Sequence, residues 1–304
     1  MYFSWTSIFA LSKMTLSYAP PIFLTAIRML FAGFLLVGYL LVRKRLKINK
    51  KQFVAIALFA FFSVYLTNIL EFWGVQHLTA AKTCFIYSLT PFFSALFSYL
   101  HFKEKMTPKK WLGLGIGLVG MVPVFLIQTG SENLFSSLFI FSQPELAIIG
   151  ATLFSAYGWV LLRLLVKKNA LSPLIANGLS MLIGGGMALT HSFFADSWAP
   201  TPIVAGGFMP MIKGLVLMTV ISNIICYNLY GWLLKKYTAT FMSFVGLLSP
   251  IFASLTEWMI LGTRPNPIIF LSTLVVVSGL WLVYQSELKQ GYIIKDAKQE
   301  KAAA

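Results

Sequence analysis

The chain has 304 residues, of which 58% are hydrophobic and only 11% charged, and its formal net charge is +15. A soluble domain carries about a quarter charged residues, so this composition excludes a soluble domain and indicates an integral membrane protein. The two cysteines, Cys84 and Cys226, stand inside apolar stretches, and we expect both to be small core residues.

Apolar runs long enough to cross a bilayer, which takes about 20 residues with a range of about 17 to 25, recur along the whole chain. We predict an all-α membrane protein with ten transmembrane helices. Pro21, Pro173 and Pro267 each stand at a predicted helix start, where a missing N–H does no harm. The predicted spans are 2–17, 21–42, 53–74, 80–100, 111–127, 145–165, 173–191, 211–234, 239–261 and 267–285.

The basic residues are unevenly divided between the two ends of these spans. Ten spans put both termini on one side, and 19 of the 24 Lys and Arg residues fall on that side. Short loops rich in Lys and Arg stay in the cytoplasm, so we predict cytoplasmic termini and a multi-pass protein of the cytoplasmic (inner) membrane. The loops lack the interleaved aromatics of a nucleic-acid site, so we expect no nucleic-acid partner.

Two stretches of the chain match each other without a gap at an offset of 159 residues. The match predicts a duplicated unit, with a first five-helix repeat at 1–127, a second at 145–285 and a disordered cytoplasmic tail at 286–304. An odd number of spans per copy inverts the second copy, a layout common in secondary transporters. The matching positions are Thr79-Ala80 with Thr238-Ala239, Pro91 with Pro250, Pro108 with Pro267, and Gly120 with Gly279.

Short motifs accompany this layout, and they are Trp5-x-x-x-Phe9-x-x-x-Lys13, Pro20-Pro21, Ala26-x-Arg28, Tyr87-x-x-x-Pro91, Glu104, Pro108, Gly113, Gly120, Pro250, Pro267 and Gly279. Together they resemble the drug/metabolite transporter superfamily, EamA family, over about residues 5–284. The chain departs from that pattern at Thr263, where the copy of Glu104 would fall, and at Ser180, opposite Arg28. The resemblance implies a metabolite carrier of the cytoplasmic membrane that performs no chemistry on its cargo.

Charged side chains inside the predicted spans are candidates for a binding site, because a charge at a helix centre costs about 2.5–3.5 kcal/mol to insert. Arg28 could bind a carboxylate through two N–H groups of its guanidinium, or link neighbouring helices by donating hydrogen bonds to backbone carbonyls. Lys82 could contact the ligand or extend to the outer surface. Glu71 and Glu257 could bind a cationic group or a proton, or pair with a nearby lysine.

Polar residues also form stripes at helical spacing on several predicted spans. Facing inward, these stripes would line a wet cavity, and the alternative is hydrogen bonding between helices. Two tryptophans could stack on a ring or a cationic ligand, or belong to the interfacial belt. The stripes contribute Asn68, Tyr87, Ser94, Asn223 and Tyr227 to the predicted binding residues, and the two tryptophans are Trp73 and Trp159.

Prolines, glycines and histidines in the predicted spans give three further predictions. Pro91 and Pro250 fall inside predicted helices, where a proline removes a backbone hydrogen bond, and we predict a hinge at each. Gly113-x-x-x-Gly117 predicts a helix-packing face rather than a nucleotide site. The three histidines are scattered and no nucleophile stands beside a base, so we predict no metal, no cofactor and no enzyme.

We predict a secondary transporter that takes up or exchanges a small zwitterionic metabolite, driven by an ion gradient or by exchange because no phosphate-binding loop is present. In the predicted site, cationic side chains suit a carboxylate of the cargo, acidic side chains suit an amine or a sulfonium, and aromatic rings suit a planar base. Within the EamA family, carriers of amino acids and of S-adenosylmethionine match such a lining, and exchange for S-adenosylhomocysteine would use every group.

The alternatives are an exporter of drugs or toxic metabolites and, more distantly, an intramembrane enzyme or a scaffold. Expected partners are the small-molecule solute and membrane lipid, with a homodimer as an open option.

Overall fold

The computed structural model describes residues 4–5, 8, 11–12, 15–78, 83, 86–129, 142–168, 170–249, 251–252, 255 and 267–293. Within these residues the protein is built of helices joined by turns, with no strand. Helices satisfy their backbone hydrogen bonds internally, which is what a bilayer interior requires.

The principal helices, numbered in chain order, occupy most of the described residues. They are α1 (Pro21–Val42), α2 (Lys50–His77), α3 (Thr90–Phe102), α4 (Pro108–Thr129), α5 (Gln143–Lys167), α6 (Pro173–Ala195), α7 (Phe208–Leu233), α8 (Ala239–Leu248) and α9 (Pro267–Lys289). The described residues of 4–16 are helical as well and precede α1.

Six of these helices are long and apolar enough to cross a membrane, namely α1, α2, α5, α6, α7 and α9. The protein is therefore an all-α membrane protein with several spanning helices, as the composition predicts. The predicted spans 2–17, 80–100 and 239–261 fall partly outside the described residues, so the total of ten stays a prediction.

Helix α2 begins earlier than the apolar run alone predicts, because a capping residue sets its first turn. The Asn49 side chain accepts a hydrogen bond from the Gln52 backbone N–H at 2.8 Å, and Gln52 accepts one in return from the Asn49 N–H at 3.0 Å. This reciprocal capping box satisfies two backbone donors that would otherwise be unpaired at the helix start. The helix therefore begins at Lys50, three residues before the predicted Phe53.

The last helix, α9, ends at Lys289 and not at Gln285. Ser286 and Glu287 are buried within the bundle. The predicted start of the disordered tail at residue 286 is therefore wrong, because contacts with α4 keep this segment helical. Residues 294–304 of that tail lie outside the described residues.

Three helices contain π-helical segments, which are Ala60–Leu66 in α2, Leu164–Lys168 at the end of α5, and Thr219–Cys226 in α7. A π segment shifts hydrogen bonds to i→i+5 and is frequently found beside functional sites. It turns the following residues to a new face, so residues beyond it point where simple helical spacing does not predict.

The predicted span 80–100 is interrupted beside Pro91. The chain makes a turn at Ser88 and Leu89, and α3 begins at Thr90 with the proline in its first turn. A proline fits there because its missing N–H would be unpaired anyway. Its hinge role stays a prediction, and so does that of Pro250, which lies outside the described residues.

Helix α1 packs along α6, and α4 packs along α9. The second pair is in backbone contact, since a Cβ on Gly113 would lie 2.6 Å from the carbonyl oxygen of Gly279. A Cβ on Gly117 would lie 2.6 Å from the ring of Phe244 in α8. The two glycines therefore form a packing face, as their spacing predicts.

Candidate functional site

A cavity of about 180 Å³ opens between α1, α2, α5, α7 and α8. Serine and threonine hydroxyls, one arginine, one glutamate and a group of aromatic rings line it. Sites for small molecules are commonly concave and mostly apolar, with a few polar groups that fix the ligand's orientation. This cavity is the candidate binding site.

Arg28 enters the cavity from α1, and a side chain of α2 holds it in place. Its Nη2 donates a hydrogen bond to Asn68 Oδ1 at 2.5 Å. The Asn68 amide nitrogen in turn donates to the carbonyl oxygens of Ser63 at 3.2 Å and Val64 at 2.9 Å. Both carbonyls belong to the π segment of α2, so the irregular backbone anchors the residue that orients the arginine.

Among the described residues, Arg28 forms no ion pair with a carboxylate. Neither of the two ion pairs found in the described residues includes Arg28, and its Nε has no hydrogen-bond partner among them. The guanidinium lies 4.9 Å from the centroid of the Phe72 ring, which offers a weak cation–π contact. An ionisable residue buried in a membrane helix is a candidate functional residue by default.

Glu71 lies one turn after Asn68 and supplies the acidic group of the cavity. Tyr87 Oη donates a hydrogen bond to Glu71 Oε2 at 2.7 Å. Thr90 Oγ1 donates to the backbone carbonyl of Tyr87 at 2.5 Å, which ties this tyrosine to the turn before α3. Glu71 and Arg28 do not form an ion pair with each other, so the cavity holds one acidic and one basic group at separate places.

Four aromatic side chains form a second wall of the cavity, which we call the ring cluster: Trp5, Trp159, Tyr227 and Tyr230. The ring centroids of Trp159 and Tyr230 are 4.1 Å apart, and those of Trp159 and Tyr227 are 5.1 Å apart. Trp5 lies 5.7 Å from Trp159 in an edge-to-face arrangement. Such rings offer apolar area and a negative face to a ligand.

Most of the predicted site residues lie in this cavity, namely Arg28, Asn68, Glu71, Tyr87, Trp159 and Tyr227. Trp73 does not line it, because two residues beyond Glu71 a helical side chain points to nearly the opposite side. Asn223, next to the lining residue Ser222, donates instead to the Met29 sulfur at 3.1 Å. Ser94 is buried between helices. Lys82 and Glu257 lie outside the described residues.

The sequence prediction did not include Trp5 or Ser155 among the binding residues. Ser155 precedes Trp159 by four residues, so it shares a helix face, and that spacing was the available signal. Trp5 gave no periodic signal, since it stands near the start of its span. Among the described residues no group of three His, Cys, Asp or Glu side chains could hold a metal ion.

Comparison with known proteins gives three findings. The profile of the EamA-like transporter family matches residues 1–126 and 143–285 of this chain. A protein of Chlamydia trachomatis serovar L2, named S-adenosylmethionine/S-adenosylhomocysteine transporter, is 38% identical over 96% of this chain and 89% of its own length. A protein of the same name from Chlamydia muridarum is 39% identical, with coverage of 96% and 92%.

A further comparison concerns a solved structure described as "Crystal structure of protein". It superimposes with a TM-score of 0.69 at 16% sequence identity, and the match covers 95% of this chain and 97% of that chain. The similarity shows that the two chains share a fold.

Proposed function

This chain belongs to the EamA-like transporter family, and from that premise we propose that it exchanges S-adenosylmethionine for S-adenosylhomocysteine across a membrane. The membership makes the chain a carrier of a small-molecule solute and not an enzyme, which confirms both predictions. The proposed cargo is supported by the name of the Chlamydia relatives, which match nearly the whole chain.

The observation that carries the proposal is the pair of separate opposite charges in one cavity, Arg28 and Glu71. Both proposed cargo molecules end in an amino-acid group with a carboxylate and an ammonium. In our proposal Arg28, oriented by Asn68, binds the carboxylate, because a guanidinium fork matches two carboxylate oxygens. Glu71, oriented by Tyr87, binds the ammonium.

The ring cluster accounts for the other end of the cargo. S-Adenosylmethionine carries an adenine and a sulfonium cation, whereas S-adenosylhomocysteine carries the same adenine and a neutral thioether. We propose that Trp159, Tyr227 and Trp5 contact the adenine and the sulfur, since aromatic faces attract both planar rings and cations. A bulky hydrophobic drug would use the rings but would leave both charges without a partner, which costs binding energy.

The remaining predicted residues keep lesser roles in this proposal. Lys82 and Glu257 stay predicted contacts at the outer side of the cavity. Trp73, Ser94 and Asn223 would reach cargo only in a conformation in which the helices have moved. Pro91 and Pro250 stay predicted hinges.

We propose in addition ten spans in two inverted repeats, at 1–127 and 145–285, with cytoplasmic termini in the inner membrane. The close packing of α1 on α6 and of α4 on α9 supports this layout, because each pair joins helices that correspond between the repeats. Single cysteines at Asn49 and Ser131 would test it with a reagent that cannot cross the membrane. Labelling of Asn49→Cys from outside, with Ser131→Cys protected, would contradict the orientation.

The cargo is tested by uptake of labelled S-adenosylmethionine into proteoliposomes preloaded with S-adenosylhomocysteine. We expect unlabelled S-adenosylmethionine to compete, and cationic dyes not to. Arg28→Ala should abolish uptake because the carboxylate loses its partner. Arg43→Ala, at the exposed end of the same helix, is the matched control and should leave uptake unchanged. Competition by dyes alone would instead favour the alternative, an exporter of drugs or toxic metabolites.

A further inference from the structure

Two buried ion pairs lie at the end of the bundle that carries the basic loops, which we call the basic end. Arg163 Nη2 lies 2.7 Å from Glu104 Oε1, and Lys110 Nζ lies 3.1 Å from Glu287 Oε1. All four side chains are buried. None of them lines the cavity, and the transport proposal above does not use them.

Each ion pair joins the first half of the chain to the second half. Glu104 and Lys110 belong to the first segment, 1–126, and Arg163 belongs to the second, 143–285. Glu287 follows the second segment on α9, the helix that begins inside it at Pro267. The pairs are therefore contacts between the two halves of the carrier, not contacts within either half.

Hydrogen bonds accompany the ion pairs at the same place. The loop between α3 and α4 is fastened to the end of α9, since the Lys105 backbone N–H donates to Tyr292 Oη at 3.1 Å. The hydroxyls of Thr107 and Ser286 are 2.6 Å apart. Thr238, which caps α8, donates to the Glu287 carboxylate at 2.6 Å. The end of α9 and the residues after it thus meet the α3–α4 region at one place, and α8 is joined to Glu287.

Stability alone does not explain these charges. A buried ion pair must recover the cost of leaving water, and apolar residues of similar size often serve as well or better. The Arg163–Glu104 pair uses little of its hydrogen-bonding capacity, since Arg163 Nε, Arg163 Nη1 and Glu104 Oε2 have no partner among the described residues. Burying such a pair costs desolvation free energy, and both side chains are hydrated again when the pair opens to water.

The ion pairs lie on the far side of the ring cluster from the cavity charges. Arg28 and Glu71 stand in the halves of α1 and α2 that are remote from the basic loop 43–51. Trp159 of the ring cluster is one helical turn before Arg163 on α5. Cargo in the cavity would therefore have to pass the rings and then the ion pairs to leave through the basic end.

We propose that the Glu104–Arg163 and Lys110–Glu287 pairs form a gate that closes the basic end and separates when the carrier turns toward that end. A carrier works by moving one half against the other around a fixed site, so the closed end must be held by contacts between halves. Charged contacts suit this task because, once parted, each partner is stabilised by water. An apolar seal would instead expose hydrophobic surface each time it opened.

The gate is tested by the accessibility of a buried residue beside it, without any cargo. Thr240 is buried in the first turn of α8, two residues after Thr238. In a background with Cys84 and Cys226 replaced by Ala, Thr240→Cys reports opening through its labelling by a membrane-impermeant maleimide added at the basic end. We expect Glu104→Gln and Glu287→Gln each to raise the labelling rate about tenfold by shifting the population toward the open state.

Three further variants separate gating from general damage. Glu145→Gln also changes a buried acid, but one that caps α5 locally through Ser142, and it should leave labelling unchanged. The exchanged pair Glu104→Arg with Arg163→Glu should return labelling to the parent rate. Should a lone buried charge prevent folding, Thr107→Val with Tyr292→Phe removes only neutral bonds and should raise labelling about threefold.

Unchanged labelling in folded Glu104→Gln and Glu287→Gln would overturn the gate, and so would unchanged labelling in Thr107→Val with Tyr292→Phe if the other two do not fold. An equal rise in Glu145→Gln would also overturn it, because the effect would then be general loosening. Since the labelling needs no cargo, its outcome is independent of whether the protein carries S-adenosylmethionine.

Discussion

The orientation of the Arg28 guanidinium in the cavity depends on Asn68. Its amide nitrogen is used by two carbonyls of the π segment, and only its oxygen remains to accept from Arg28. Asn68 therefore converts an irregularity of the α2 backbone into a fixed direction for the guanidinium. A preorganised charge binds its partner more tightly than a mobile one, because less side-chain entropy is lost on binding.

We expect Asn68→Leu to weaken binding of S-adenosylmethionine about tenfold, which corresponds to about 1.4 kcal/mol. Binding of the decarboxylated analogue should change little, because that ligand does not use Arg28. Binding assays on purified protein with both ligands would measure the two effects. Thr152→Val is the matched control, since Thr152 donates to the Ile148 carbonyl within α5 and does not line the cavity. An equal loss for both ligands would show that Asn68 only supports the fold.

The charges of the site could be predicted from the sequence because each stands out in an apolar span. Arg28 and Glu71 are of this kind, and both line the cavity. Their partners could not be predicted, because the contact between Arg28 and Asn68 joins two helices and depends on their packing. Trp73 was predicted from its residue type to contact the ligand, but its position on α2 directs the side chain away from the cavity.

At the level of helices, hydropathy predicted the spans well and their ends less well. Helix α1 begins and ends at the predicted residues, Pro21 and Val42. Helix α5 begins at Gln143 instead of Glu145 because Ser142 and Glu145 form a capping box. That signal was present in the sequence, whereas the three π segments carry no comparable local pattern. Their i→i+5 bonds depend on neighbouring helices, which a single sequence does not reveal.

The contact between α4 and α9 gives a prediction on stability. Gly113→Ala would place a methyl group 2.6 Å from the Gly279 carbonyl oxygen, and such overpacking costs about 1–3 kcal/mol. Gly115→Ala, in the same helix with nothing within 4 Å, should be neutral or stabilising by about 0.5–1 kcal/mol. Thermal unfolding of both variants in detergent would measure the difference. Equal unfolding temperatures would mean that the two helices are not held in backbone contact.

For the whole molecule, the proposed exchange moves net charge. S-Adenosylmethionine has one more positive charge than S-adenosylhomocysteine, so each cycle carries one charge across the membrane. A potential of 100 mV, negative inside, should favour inward S-adenosylmethionine by about 2.3 kcal/mol, or about fiftyfold at equilibrium. Proteoliposomes with a potassium diffusion potential set by valinomycin would measure this shift.

Homoexchange of S-adenosylhomocysteine is the matched control for that experiment, because it moves no net charge and should not respond to the potential. Heteroexchange that ignores the potential would mean that another ion compensates the charge, for example a proton bound at Glu71. The exchange would then be coupled to two gradients instead of one.

The ring cluster has an electrical consequence. Trp159 and Tyr230 pack at 4.1 Å, and Trp5 closes over both. Ring faces packed against each other offer water few hydrogen-bond partners, so the cluster is a region of low dielectric constant between the cavity and the basic end. A membrane voltage falls mainly across its most insulating layer, not along a water-filled vestibule. Cargo resting in the cavity would therefore already sit near the potential of the compartment it came from, and the voltage would act on the short step past the rings.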